Sequence, residues 1–324
     1  MKIADLAAFA AAFAVLSGPA AGDTLVRVNT FPTARSLPFF VGAEKGIFAR
    51  HGIRLEFEFT ENSRSQREGL ALGKFEVVHS AVDNAIAMVE VAKVDVVIVS
   101  GGDGGTNEFI VGRDIGGFAD IRGKALVTDA PNTAYALQAK KILLKNGLRE
   151  SVDYRINAVG AGPFRLKAML EGGDNAAAIM NLPFSAQVIE AGLKSMGRTV
   201  DLLGPYQAGG AFVLRSWANA NPATLERYLA GYIESLRWVL DKSHRDEAIG
   251  LLMTRRNLSR PLATRSYDLM IEPGFGFNPD ARLNTEGFDN VLKLRQEVEG
   301  GPPPNSAKYL DLSYYDNAMK RLTR

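Results

Sequence analysis

The chain has 324 residues, 46% hydrophobic and 23% charged, an ordinary globular composition with length enough for two domains that each hold a core. Its 38 Lys and Arg against 36 Asp and Glu leave a formal charge of +2, and no basic run is interleaved with aromatics, so nothing argues for nucleic acid as a partner. There is no cysteine, which excludes disulfides, thiolate metal sites and a cysteine nucleophile.

The first residues read as a leader. Lys2 precedes the apolar run Leu6–Leu16, too short to span a bilayer, and the small residues of Ser17–Gly22 suit signal peptidase. We expect residues 1–22 to be a signal peptide, cleaved near Ala21 or Gly22, and the mature protein to be soluble and exported; the other reading is an alanine-rich N-terminal helix.

Strand and helix then alternate. Val26 and Val28 open a strand, the polar loop Thr30–Ser36 follows, and Pro38 starts a helix that stops at Gly46. A strand running into a helix start directs unpaired N–H groups and the positive dipole end at one spot, which suits a small polar or anionic molecule. The strands Ile53–Phe59, Phe75–Ser80 and Val94–Ser100 come next. They are separated by a helix that Ser63 caps and Gly73 ends, and by another from about Asp83 to Val91. This order predicts a mainly parallel sheet with helices on both faces and ligands beyond the carboxyl ends of its strands. The loops Thr30–Ser36, Ser80–Asn84 and Ser100–Thr106 would lie there, with Gly101–Gly105 read as a flexible turn.

A second α/β unit is expected. Phe109–Arg113 reads as a strand leading out of the first sheet, and Ala125–Thr128, Tyr154–Val159 and Ala176–Asn181 continue as strands around helices Ala134–Lys145 and Pro163–Leu170. Asn181–Ser185 is a further strand-to-helix junction. From the Asn221–Pro222 cap onward the chain is helical, over about 222–240, 247–253, 260–270, 286–298 and 314–321, with Gly300–Pro304 a rigid surface connection. Packing these helices on the first sheet makes the domains discontinuous. Lobe 1 is then 23–111 plus 206–324, lobe 2 is 112–205, and the chain crosses near Gly112 and Gly204.

Three stretches in this order, Phe40-Val-Gly-Ala-Glu-Lys-Gly-Ile-Phe-Ala-Arg-His-Gly-Ile53, Gly69-Leu-Ala-Leu-Gly-Lys-Phe-Glu76 and Phe118-Ala-Asp-Ile-Arg-Gly-Lys124, resemble the ABC-transporter solute-binding proteins for nitrate, taurine, alkanesulfonates and thiamine pyrimidines. Asn219–Pro222, Phe277–Asp280, Leu283–Gly287 and Tyr309–Tyr314 match that family's later segments, so the resemblance covers nearly the whole mature chain. It implies a two-lobed periplasmic-binding-protein type II fold, each lobe a mainly parallel sheet flanked by helices. It further implies a monomer that closes over a small organic solute (sulfonate, carboxylate or pyrimidine-like) and delivers it to an ABC permease in the inner membrane, with no cofactor or metal.

Mapped onto this sequence, the resemblance places first-lobe contacts at Phe31, Thr33, Arg35 and Ser36, at Ser80, Ala81, Val82 and Asp83, and at Gly102 and Asp103. The second lobe adds Ala130, Asn132, Thr133, Asn181, Pro183 and Phe184. Arg35 is either a bidentate clamp for a sulfonate or carboxylate or a solvated surface arginine. Phe31 and Phe184 either sandwich an aromatic ring or fill a core edge. Asp83 either receives a ligand hydroxyl or amine or complements a helix dipole. Asp83, Asp103 and Asp129 near one cleft fit a purely anionic ligand poorly. Two other functions remain open. One is an enzyme, since some relatives of this fold make the thiamine pyrimidine with a histidine and a cysteine-rich iron site. This chain has only His51, His79 and His244, of which His79 lies beside the expected cleft and is alternatively structural. The other is a sensor that presents its ligand to a membrane receptor.

Overall fold

The computed structural model describes residues 22–300 and 305–323. The expected leader, save Gly22, and the prolines of the Gly300–Pro304 connection lie outside the described residues.

The first sheet contains β1 (Thr24–Thr30), β2 (Ile53–Phe59), β3 (Val77–Ala81) and β4 (Val96–Asp103), joined later by β10 (Gly209–Leu214). Its order is β2-β1-β3-β10-β4, with β10 alone antiparallel to its neighbours. The strand residues alternate between two cores, as a sheet covered on both faces requires. Val77, Val97, Val99, Ala211 and Val213 face Phe39, Tyr228 and Tyr232, whereas Val78, Val96, Ile98 and Phe212 face Ile86, Phe288 and Tyr309. The long helix Pro222–Leu240 lies in the first of these cores against the helices Leu37–Glu44 and Ser313–Arg321.

The second sheet is built from β5 (Glu108–Val111), β6 (Ala125–Thr128), β7 (Arg155–Ala158), β8 (Asn175–Met180) and β9 (Lys194–Arg198), in the order β7-β6-β8-β5-β9. Here β5 is the antiparallel strand. It alternates in the same way, with Phe109 and Val111 in one core and Ile110 in the other.

Two expectations are corrected. The strand at 108–111, assigned to lobe 1, pairs with β8 and β9 of the second sheet, so the chain leaves the first sheet between Asp103 and Glu108 and not at Gly112. Both faces of β5 are apolar and need the second lobe's cores, and no periodicity within four residues reveals which sheet supplies them. The Gly101–Gly105 stretch is no flexible turn. Gly101–Asp103 belongs to β4, a side chain at Gly101 would collide with the Arg282 backbone, and the Gly104 N–H donates to Gly276 O at 2.9 Å. The glycines permit close backbone approach. Strand β9 carried no alternating apolar signal because it is a polar edge, with Lys194 and Ser195 exposed.

Candidate functional site

The carboxyl ends of β1, β3 and β4 meet at one edge, where antiparallel β10 begins at Gly209 and Gly210. A partly open cavity sits there, about 370 Å³ of space including the part that opens to solvent. Phe31, Thr33, Arg35, Ser80, Gly102 and Asp103 line it together with Thr30, Phe39, His79 and Tyr232. The first six are sequence-predicted contacts, so the loops after β1, β3 and β4 converge as expected.

Arg35 is not a free clamp. Its Nη1 pairs with Asp103 Oδ1 at 2.7 Å with both side chains largely buried, and Nη2 donates to Tyr135 Oη at 3.0 Å. Burial alone would lower the Arg35 guanidinium, but the Asp103 charge and the nearby Tyr135 outweigh it and raise it above the ordinary value. The Asp103 carboxylate can lie against the start of β10 because position 209 is glycine; a Cβ there would strike it. Arg35 Nε has no partner.

His79 follows Val77 on the same face of β3 and so points into the aromatic core. Its ring lies 5.0 Å from Phe39 and 4.3 Å from Tyr232, centre to centre, and Nε2 finds no hydrogen bond. Burial pushes its pKa down to about 3, so the imidazole is neutral at pH 7.

The remaining first-lobe residues play other parts. Ser36 Oγ donates to Phe31 O at 3.0 Å and fixes the loop. Val82 is buried in the core behind β3, and Ala81 ends the strand before it. Asp83 does not line the cavity: it accepts from Arg295 Nη1 at 2.8 Å and from Tyr206 Oη at 3.3 Å. Its place one residue into the helix Val82–Glu90 turns it away from β3's end and toward the helix Thr285–Glu299.

Second-lobe groups meet this edge across the cleft. Asn181, fully buried, donates from Nδ2 to the same Tyr135 Oη at 3.0 Å, and Leu182 O accepts from Ala34 N at 3.2 Å. Thr133 Oγ1 donates to Asp129 Oδ1 at 2.5 Å and lies 3.1 Å from Ala130 O. Asp129 Oδ2 in turn accepts from Ser63 Oγ of the first lobe at 2.7 Å. Ser63 therefore does not cap its helix as expected; Asn62 does, accepting from Ser65 N, which frees the Ser63 hydroxyl to cross the cleft. Asn132 is half-buried beside Thr133, and Pro183 precedes the helix Phe184–Glu190. Phe184 is a core residue stacked where a side chain on Gly162 would otherwise stand, so its ring fills the second lobe's core and is not part of the cavity wall.

Sequence reasoning missed Tyr135, which joins Arg35 to Asn181, and Tyr232 and Phe39, which line the cavity. Tyr135 is one turn-residue into the helix Ala134–Lys145 and Tyr232 belongs to an apolar helical stripe, so neither carries a local mark of its role.

Two α/β lobes, two chain crossings and a polar cleft between them define a two-lobed periplasmic-binding-protein fold. The chain belongs to the NMT1-like family, whose model matches residues 20–253. A sequence search of curated proteins found no match. Among solved structures, the fold is similar to a protein of Bordetella bronchiseptica RB50, at 18% identity and TM-score 0.77, covering 94% of this chain and 99% of that one. It is also similar to the periplasmic nitrate-binding protein of Synechocystis PCC 6803, at 13% identity and TM-score 0.77, covering 93% and 89%. The alkanesulfonate-binding protein of Xanthomonas axonopodis pv. citri, bound to MOPS, matches at 15% identity and TM-score 0.69, covering 89% and 96%. One similar structure is an enzyme, the desulfurization enzyme DSZB, at 14% identity and TM-score 0.63, covering 92% and 99%.

Proposed function

We propose that this protein is the solute-binding component of an ABC importer, a monomer exported to the periplasm that closes its lobes over one small organic solute and delivers it to the inner-membrane permease. The observation that carries the reading is the chain Asp103–Arg35–Tyr135–Asn181, which runs from the first lobe to the second beside the cavity. A solute held there touches both lobes only when they are closed, and such differential contact is what shifts a hinge toward closure.

The similarity to proteins named for nitrate and alkanesulfonate is in keeping with a sulfonate or carboxylate ligand, while a pyrimidine-like one rests on the sequence resemblance alone. Asp103 neutralises Arg35, which favours an organic solute with a dipolar part over a bare inorganic anion. The aromatic rings of Phe31, Phe39 and Tyr232 supply apolar wall for its body. Against the enzyme reading, His79 is the one histidine at the cavity, and a group with a pKa near 3 is a feeble general base at neutral pH.

A thermal-shift screen of sulfonates, aromatic carboxylates, nitrate and pyrimidines tests the proposal, since a ligand that binds only the folded state raises the melting temperature. Mass spectrometry of small molecules released on denaturing the purified protein identifies a retained solute. No shift across the panel and nothing released would refute a binding role.

A further inference from the structure

The helix Gly162–Glu171 buries Gly162, Arg165, Ala168 and Met169, a single stripe at helical spacing turned to the interior. An arginine in such a stripe needs compensation, because burying a charge is costly unless it is paired and hydrogen-bonded. Two other buried arginines have it, Arg35 in Asp103 and Arg295 in Asp83 and Glu299, whereas Arg256 meets only Pro32 O and the Phe59 ring among the described residues. Arg165, 2% exposed, has no carboxylate partner among the described residues. Its Nη1 donates to Gly160 O at 3.1 Å, its guanidinium lies 4.7 Å from the centre of the Tyr135 ring, and Nε has no acceptor. One carbonyl and one aromatic face answer the guanidinium only in part, and no carboxylate pairs with it.

The surroundings hold unmatched polar groups as well, with Asn181 Oδ1 an acceptor that finds no donor in the orientation in which Nδ2 meets Tyr135. Tyr135 Oη meets both Arg35 Nη2 and the Asn181 amide. Whichever way that amide is turned, one donor of the Tyr135–Asn181 pair is left over, either the phenol proton or an amide N–H. Arg35 Nε is likewise unpartnered. Spare donors on Arg165, Arg35 and the Tyr135–Asn181 pair, and an arginine without an ion-pair partner, thus cluster about Tyr135 at the junction of the two lobes.

We propose that Arg165 is the anion-holding residue of the cleft. The ligand's single sulfonate or carboxylate group is received by the Arg165 guanidinium and the spare donor of the Tyr135–Asn181 pair, all from the second lobe. The neutral Arg35–Asp103 pair faces the uncharged part of the same molecule. This inference rests on the solute-binding function proposed above and moves the anion contact from the residue that the sequence pointed to, Arg35, to one it did not. It also gives closure a driving force, because the anion neutralises a charge that the closed cleft otherwise leaves buried.

The test uses isosteric pairs that differ in charge, methanesulfonate against methanesulfonamide and benzenesulfonate against benzenesulfonamide, titrated by calorimetry into the full mature chain. The wild type is expected to bind the sulfonate of a pair about tenfold or more tightly than the sulfonamide, as charge-assisted hydrogen bonds allow. Arg165→Met should equalise the pair, and Arg165→Lys should recover part of the preference, which separates loss of charge from damage to the fold. Without ligand, Arg165→Met should melt at the wild-type temperature or above it, since it removes an unpaired buried charge, whereas a merely structural arginine would lower it on removal. A methionine variant that keeps the sulfonate preference overturns the proposal, and so does a wild type that binds sulfonamides as tightly as sulfonates, which leaves the binding function standing. If the wild type binds neither member of either pair, the proposal falls; if denaturation also releases no small molecule, the binding function falls with it.

Discussion

Asp83 and Arg295, 212 residues apart in the sequence, form a 2.8 Å ion pair with only 2% and 7% of their side chains exposed. The pair ties the helix that follows β3 to a helix near the C-terminus, and it removes Asp83 from the cleft. Breaking a buried pair by deleting one partner leaves the other charge stranded. Arg295→Met should therefore destabilise the protein by about 3 kcal/mol in urea denaturation while leaving ligand affinity within about twofold. A large loss of affinity at unchanged stability would return Asp83 to the binding site.

The Arg35–Asp103 pair behaves differently because it borders the cavity. Asp103→Asn leaves the Arg35 charge uncompensated, so the ligand-free protein should lose about 3 kcal/mol of stability and anionic ligands should bind more tightly. Titration calorimetry of wild type and variant with benzenesulfonate compares the affinities; weaker binding by the variant would mean that the carboxylate itself contacts the ligand.

His79 makes stability depend on pH. Its folded pKa, near 3, lies below the ordinary histidine value of about 6.5, so the unfolded chain binds the extra proton first. Its contribution is complete above pH 6.5 and is lost as pH falls from there toward 3, by at most about 1.4 kcal/mol per pH unit. Urea midpoints measured from pH 7.5 down to 4.5 should fall less steeply for His79→Gln than for wild type. Parallel slopes would show that the ring is already protonated, or equally solvated, in the folded protein.

Ser63 and Asp129 join the lobes without lining the cavity, through the 2.7 Å bond that Thr133 buttresses from its own side. Ser63→Ala should remove about 2 kcal/mol from the closed form alone, the scale of a hydrogen bond to a charged group. The ligand-free variant should then open, raising its radius of gyration in small-angle X-ray scattering, while saturating ligand restores the compact value. An unchanged scattering curve would mean that this bond does not govern the hinge.

Phe184 and Gly162 test whether the ring belongs to the core. A methyl group at position 162 collides with the ring, so Gly162→Ala should cost about 1–3 kcal/mol, and combining it with Phe184→Leu should recover part of that loss. Denaturation midpoints of the two single variants and the double decide it; strict additivity would place the ring elsewhere.

Local sequence sufficed for most of the elements and the class of fold, the polar edge strand β9 excepted. The apolar runs of β4 and β5, the proline and glycine that bracket the helix Leu37–Glu44, and the alternation of strand and helix depend on neighbours a few residues apart. The same local logic brought Phe31, Thr33, Arg35, Ser80 and Asp103 to one edge, because strand ends gather wherever parallel strands align. Partnership was not legible in this way. Nothing near Arg35 shows that Asp103 will neutralise it, nothing near Ser63 shows that its hydroxyl will reach Asp129, and nothing near Arg165 shows that it will be buried without a counter-charge. Charge pairing acts over a few ångströms of space, and only the meeting of distant segments in the folded chain decides which groups lie within that reach.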